Sequence, residues 1–204
     1  MRYGIYGGSF DPVHYGHLLL AETCRQEAGL DRVIFVPSGQ SPHKQKQDRL
    51  SGELRAQMLE MAIAGTEEFL LSRFEIERNT ISYTIDTLRH FKETLFDAEL
   101  FLLVGADMYY DLPNWRSAQE ILKIAVPVGV HRPGFPPPHV EVLSELVDND
   151  RLNLFREYIV QMQLVDFSAT RIRNHCATGK SIRFQTPRPV EAFIKSHGLY
   201  RERS

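Results

Sequence analysis

Near its start the chain carries Gly7-Gly8-Ser9-Phe10-Asp11-Pro12-Val13-His14-Tyr15-Gly16-His17. Glycines let main-chain N–H groups approach an anion, and a helix N-terminus adds further N–H groups at its positive dipole end. His14 and His17 fall three residues apart, which on a first helical turn places them on one face. Two imidazoles over a bed of backbone donors suit phosphoryl or nucleotidyl transfer, where charge spreads over equatorial oxygens and must be met by positioned donors. The plain alternative is an ordinary βα turn with capping histidines. The joint occurrence of Gly8, Phe10, Pro12, His14 and His17 after an apolar run favours the chemical reading.

Such a turn needs a strand to deliver it and a helix to receive it. Tyr3 to Tyr6 supplies the first and Leu18 to Ala28 the second. Strand and helix patterns then alternate. Asp31 to Pro37 and Leu100 to Gly105 read as buried parallel-type strands, and Ala125 to Val130 as another. Glu53 to Ala64 predicts a helix burying Leu54, Met58, Met61 and Ala62, and Ile85, Leu88 and Phe91 recur at helical spacing. Leu70 to Arg78 and Tyr158 to Val165 look extended, and Ser38 to Gly52 reads as a surface loop. Pro136 to Asp150 reads as an insertion: a stiff proline run, then a short amphipathic helix over Val140 to Val147. Ser168 to Ala177 and Val190 to His197 close the chain as helices. The pattern predicts one α/β domain over 1–204: a doubly wound, Rossmann-like parallel sheet with helices on both faces and a small C-terminal helical part at 168–204. Its site is expected at the C-terminal strand ends, where Gly7-Gly8, Gly105-Ala106-Asp107 and His131-Arg132-Pro133-Gly134 fall.

Three other stretches admit two readings. Phe167-Ser168-Ala169-Thr170-Arg171-Ile172-Arg173 opens a helix, so Ser168 or Thr170 is by default an N-cap. The alternative is a second phosphate site with Arg173 as a planar fork of donors. Ser82-Tyr83-Thr84 is a capping pattern, or a pair of free N–H groups at Tyr83 and Thr84 facing a carboxylate. Trp115 is an edge aromatic or a π-face over an electron-poor ring. Cys176-Ala177-Thr178-Gly179-Lys180-Ser181 is not a P-loop: Asn174 stands where glycine is needed, and a helix precedes it. Gly179 is expected as a helix C-cap glycine.

The first motif resembles the Gly-x-Phe-x-Pro-x-His-x-x-His signature of the nucleotidyltransferase superfamily related to class I aminoacyl-tRNA synthetases. The stretch at 167–173 resembles that superfamily's Ile-Ser-Ser-Thr-x-x-Arg signature, with Phe167 for isoleucine and Ala169 for the second serine. Pro42-His43-Lys44, Ser82-Tyr83-Thr84, Gly105-Ala106-Asp107, Pro113-Asn114-Trp115, Arg132-Pro133-Gly134 and the closing Gly198-Leu199-Tyr200 make the chain similar to the bacterial nicotinate-mononucleotide adenylyltransferase branch. That resemblance implies ATP and nicotinate mononucleotide as substrates, with Mg²⁺ carried on ATP and no protein nucleophile. It implies His14 and His17 at the α-phosphate and backbone donors at Gly8, Ser9 and Phe10 on the reacting phosphates. Lys44 would reach phosphate oxygens, and Ser168, Thr170 and Arg173 the departing β and γ phosphates. Gly105, Asp107 and Arg132 would border the nucleotide, with Asp107 on ribose hydroxyls. Tyr83, Thr84 and Trp115 would hold the nicotinate. The alternatives are a transferase for phosphopantetheine, FMN or a cytidylyl acceptor, and a non-catalytic nucleotide-binding module on the same fold.

Composition sets outer bounds. The 204 residues are 43% hydrophobic and 25% charged, with formal net charge −2, so no basic footprint for nucleic acid is present. Cys24 and Cys176 are too few for a disulfide framework or a zinc site and are expected as core or half-buried thiols. No signal-peptide pattern and no run of membrane-spanning length occurs, which makes a cytoplasmic protein the expectation.

Overall fold

The computed structural model describes residues 1–39, 50–78, 80–131, 136–163 and 165–201. The first half runs β1 (Arg2–Gly8), α1 (Tyr15–Glu27), β2 (Arg32–Pro37), α2 (Gly52–Ile63), β3 (Phe69–Leu71), α3 (Phe74–Glu77), α4 (Thr84–Thr94) and β4 (Glu99–Gly105). The second runs α5 (Ala106–Asp111), a 3₁₀ turn (Leu112–Asn114), α6 (Ala118–Ile124), β5 (Ala125–Val130), a 3₁₀ turn (Val140–Leu143), α7 (Asn149–Arg156), β6 (Ile159–Val160), α8 (Ala169–Ala177) and α9 (Arg188–Ser196). Among the described residues the strands form one six-stranded sheet ordered β3-β2-β1-β4-β5-β6, every pairing parallel.

The two-residue side-chain period of a strand splits the core between the sheet's faces. Val33 and Phe35 of β2, with Phe101 and Leu103 of β4, face one apolar cluster, roofed by α1, α2, α8 and α9. Ile34, Val36, Leu100, Leu102 and Val104 face the other, roofed by α4, α5, α6 and α7. The chain winds from one face to the other between β1 and β4. Their C-terminal ends are the switch point at which such sheets open a crevice.

Several local expectations are corrected. Leu70 to Arg78 is not one extended run: β3 stops at Leu71, and Ser72 Oγ accepts from the Phe74 N–H at 3.3 Å as α3 begins. Glu75 is drawn inward there, taking a 2.6 Å bond from the Thr87 hydroxyl. Burial pushes the Glu75 carboxyl up, against the opposing pull of Thr87, the Gly39 N–H, Arg78 and Arg55. Among the described residues of the run Tyr158 to Val165, Ile159–Val160 joins the sheet. The amphipathic helix expected over Val140 to Val147 shortens to a 3₁₀ turn, but its Val140 and Leu143 are core residues beside Leu152 and Phe155 of α7. On α2 the buried stripe is Arg55, Ala56, Met58, Leu59 and Ile63, whereas Leu54, Met61 and Ala62 are half-exposed.

Helix ends follow the residues placed there. Gly179 and Gly198 both take the left-handed conformation just past α8 and α9, with φ of +69° and +59°. Each closes a Schellman motif, Lys180 N–H to the His175 carbonyl at 2.8 Å and Leu199 N–H to the Ile194 carbonyl at 3.0 Å. Cys24 is buried, which pushes its thiol up, and Cys176 is half-buried; both are free thiols. Among the described residues no helix is long and apolar enough to cross a membrane.

Candidate active site

The histidine turn leaves β1 and enters α1 with a small register change from the expected one. His14 is the N-cap, extended at φ −145° and ψ 169°, and His17 sits three residues into the first turn. The imidazoles still share a face and stack, with centroids 3.6 Å apart and planes 20° from parallel. The His14 backbone N–H donates to His17 Nδ1 at 3.2 Å. That bond occupies the Nδ1 lone pair, so a neutral His17 carries its proton on Nε2 and offers an N–H donor from the far edge of the ring. The Phe10 ring is fully buried and meets His17 edge-on at 5.0 Å, which supports the imidazole from below. Phe10 takes a left-handed φ of +47°, and a Cβ on Gly8 would lie 2.9 Å from its ring. Glycine at position 8 is therefore required by the ring folded over it.

The C-terminal helical part grips this turn at four points. Arg173 of α8 donates through Nη1 to the Asp11 carbonyl at 2.7 Å and through Nη2 to Thr170 Oγ1 at 3.3 Å. The Tyr200 hydroxyl donates to Asp11 Oδ1 at 2.6 Å, and the Thr186 hydroxyl to the Val13 carbonyl at 2.8 Å. The Tyr15 N–H donates to the Gln185 carbonyl at 3.1 Å. Burial, then the Asp11 carboxylate, raise the Tyr200 phenol, which keeps it a donor. So the histidine turn and the 167–173 stretch are brought together, α8 starting beside the turn that precedes α1. Ser168 does act as the α8 N-cap, accepting from the Arg171 N–H at a long 3.5 Å, and Thr170 lies exposed in the first turn. Thr186 and Tyr200 had no assigned role from sequence. Their partners lie 173 and 189 residues away along the chain, beyond any local pattern.

Across the crevice, Gly105 ends β4 and is the N-cap of α5, with an ordinary φ of −67°. Asp107 follows in the first turn of α5 and is half-buried. On α4 the capping expectation fails in an informative way: Tyr83, not Ser82, is the N-cap, and no side chain caps the helix. The Ser82 hydroxyl is buried with no hydrogen-bond partner among the described residues. The Thr84 end of α4 thus leaves its first main-chain N–H groups without a side-chain cap. Trp115 follows the first 3₁₀ turn, its Nε1–H on Asp111 Oδ2 at 3.2 Å, and the guanidinium of neighbouring Arg116 lies 4.5 Å over the Tyr83 ring. Tyr83 and Trp115 both pack at the edge of one apolar cluster. Lys44, with Pro42 and His43, and Arg132, with Pro133 and Gly134, lie outside the described residues.

The family model described as cytidylyltransferase-like matches residues 5–175, which includes both helix starts and the crevice between them. The chain belongs to the cytidylyltransferase-like family. Within this family it is similar to a protein of Rhodopirellula baltica named probable nicotinate-nucleotide adenylyltransferase, 37% identical over 98% of this chain and 94% of that one. A Thermus thermophilus protein of the same name is 38% identical over 98% and 100%. Among solved structures, a Plasmodium falciparum nicotinic acid mononucleotide adenylyltransferase complexed with NaAD aligns with a TM-score of 0.76 at 18% identity, covering 98% of this chain and 97% of that one. A putative nicotinate-nucleotide adenylyltransferase of Vibrio parahaemolyticus aligns at 0.70 and 19%, covering 99% and 96%. At those identities the structural likeness speaks for the fold. The doubly wound architecture of this cytidylyltransferase-like chain is the one its sequence pattern predicts.

Proposed function

We propose that the chain is a nicotinate-nucleotide adenylyltransferase, which transfers AMP from ATP to nicotinate mononucleotide and releases deamido-NAD and pyrophosphate. One observation carries the reading: the histidine turn and the α8 start are tied by the 2.7 Å bond from Arg173 to the Asp11 carbonyl, so two anion-binding helix ends face one crevice. The names of the relatives support it. The mononucleotide phosphate is already anionic at neutral pH, so its oxygen attacks the α-phosphorus without a general base. The bond from that phosphorus to the β-phosphate bridging oxygen breaks, and pyrophosphate leaves with the electron pair. The protein's work is alignment and charge stabilisation.

In this reading His17 Nε2–H, with His14 beside it, meets the charge that grows on the α-phosphate. The Ser9 N–H, after Gly8, meets the reacting phosphates, whereas the Phe10 donor expected from sequence belongs to a fully buried residue. Thr170, Arg173 and Ser168 receive the departing ones, the hydroxyl of Ser168 turning from its long cap bond. Gly105 and Asp107 border the nucleotide, Asp107 accepting from ribose hydroxyls. Lys44 and Arg132 are carried as phosphate and nucleotide contacts from the family signature. Among the described residues no three His, Cys, Asp or Glu side chains gather as a metal site. The donors at α8 are hydroxyls and a guanidinium, suited to phosphate rather than to a resident cation. Mg²⁺ would arrive with ATP and would offset the charge of its phosphates.

The nicotinate carboxylate is assigned to the uncapped α4 start, with Tyr83 and Thr84 donating and Trp115 over the ring. A carboxylate there gains charge-assisted hydrogen bonds, while a neutral amide turns its NH₂ toward donors. The difference is one to a few kcal/mol, roughly ten- to a hundredfold in catalytic efficiency. Steady-state kinetics with pyrophosphate release as readout should therefore favour nicotinate over nicotinamide mononucleotide by that ratio. Equal efficiency on the two would remove the carboxylate assignment. Transfer to phosphopantetheine or FMN instead would remove the substrate altogether.

A further inference from the structure

Arg55 is a buried charge that the reading above leaves without a task. It lies on α2, 4% exposed, in the middle of an apolar stripe. A buried guanidinium is costly unless its donors are all met. Here three of its donors go to main-chain carbonyls outside the helix: Nη1 to Ser9 at 2.7 Å, Nη2 to Ser38 at 2.6 Å and Nε to Leu50 at 3.2 Å. Ser38 in turn donates its own N–H to the Gly8 carbonyl at 2.8 Å. The four groups close a ring: Gly8, Ser38, Arg55, Ser9.

The ring has a consequence for the far side of the same peptides. A trans peptide is planar, with C=O and N–H pointing in opposite directions. Holding the Gly8 carbonyl toward Ser38 turns the Ser9 N–H away from it. Holding the Ser9 carbonyl toward Arg55 turns the Phe10 N–H away likewise. Phe10 sits at a φ of +47°, a conformation a non-glycine residue keeps only when its surroundings impose it. We propose that Arg55 is a positioning residue for adenylyl transfer: by fixing the Ser9 and Ser38 carbonyls it holds the Gly8–Ser9 peptide so that the Ser9 N–H faces the transferred phosphates. It touches no substrate itself. The proposal rests on the reading of the site as a nucleotidyl-transfer centre and extends it to a residue outside the motifs. Lysine cannot replace the fork, because one ammonium on a flexible stem does not hold three divergent carbonyls.

The test has an arm on the unmodified protein and an arm on Arg55→Lys. In the first, ATP is titrated without acceptor into ¹⁵N-labelled protein, and the Ser9 amide resonance should move in step with saturation. An unmoved Ser9 resonance at saturating ATP overturns the proposal whether or not any variant folds. In the second, assayed well below the variant's melting temperature, kcat should fall about 30-fold. ATP affinity should fall about tenfold, while KM for the acceptor stays within about threefold. A folded Arg55→Lys with kcat and ATP affinity within about twofold of the parent would show that Arg55 serves stability alone. If the parent adenylylates some other phosphate acceptor, the nicotinate reading fails, yet both arms still read out with ATP.

Discussion

His17→Ala should lower turnover on the order of a hundredfold or more, with a much smaller change in KM for either substrate. The asymmetry follows from what the ring is held to do. His17 Nδ1 is occupied by the His14 N–H, and Phe10 braces the ring edge-on, so Nε2–H is a donor fixed in place before any ligand arrives. A donor of that kind gains most as charge builds on the phosphorus oxygens and little while ATP is bound at rest. Removing one preorganised donor from such a site typically costs a hundred- to a thousandfold in turnover. The fold should survive, because His17 is half-exposed and the buried ring beneath it belongs to Phe10. Pre-steady-state quench measurements isolate the transfer step from product release. A His17→Ala protein whose transfer step matches the parent's would leave the imidazole without a part in the reaction.

The contrast between His17 and Arg55 shows which parts of this site a sequence can disclose. The glycine turn, its two histidines and the Arg173 stretch are local: residues that act together are adjacent in the chain, and their types carry the chemistry. The same holds for the strands, whose alternating faces are written in runs such as Val33-Ile34-Phe35-Val36. Arg55 was hidden because periodicity alone placed Leu54 and Met58 toward the core and left the arginine to solvent. Only the carbonyls of Ser9, Ser38 and Leu50, converging in space, make burial of that charge tolerable. Glu75 was hidden likewise: Phe74 to Glu77 lacks the length for a helical pattern, and it turns because Thr87 and Gly39 meet the carboxylate from other segments. Helix α7 was missed because its buried contribution is two side chains, Leu152 and Phe155, among polar neighbours. At the start of α4, Ser82-Tyr83-Thr84 suggested a cap in sequence. The alternative, an open start with free N–H groups at Tyr83 and Thr84, was equally legible, and Tyr83 as an N-cap without a side-chain bond favours it.

Arg173→Ala should be nearly as damaging as loss of His17, but through the nucleotide: kcat/KM for ATP is expected to fall on the order of a hundredfold. Two losses combine. The guanidinium is a cation near the α8 start, where departing phosphates would be received, and it also holds the Asp11 carbonyl just ahead of His14. The second role is shared, since Tyr200 holds the Asp11 carboxylate and Thr186 the Val13 carbonyl. The turn should therefore stay folded. One charge-assisted hydrogen bond at a half-buried site contributes about 1–2 kcal/mol, so melting should drop by only about 2–8 °C in a chain of this size. Arg173→Lys restores the charge but not the fork that spans Asp11 and Thr170, and should recover less than about tenfold of the loss. The kinetic and thermal readings separate the roles. A large thermal loss with kcat/KM for ATP preserved in the fraction that remains folded would make Arg173 a strut for the turn, and the α8 start would lose its claim on the triphosphate.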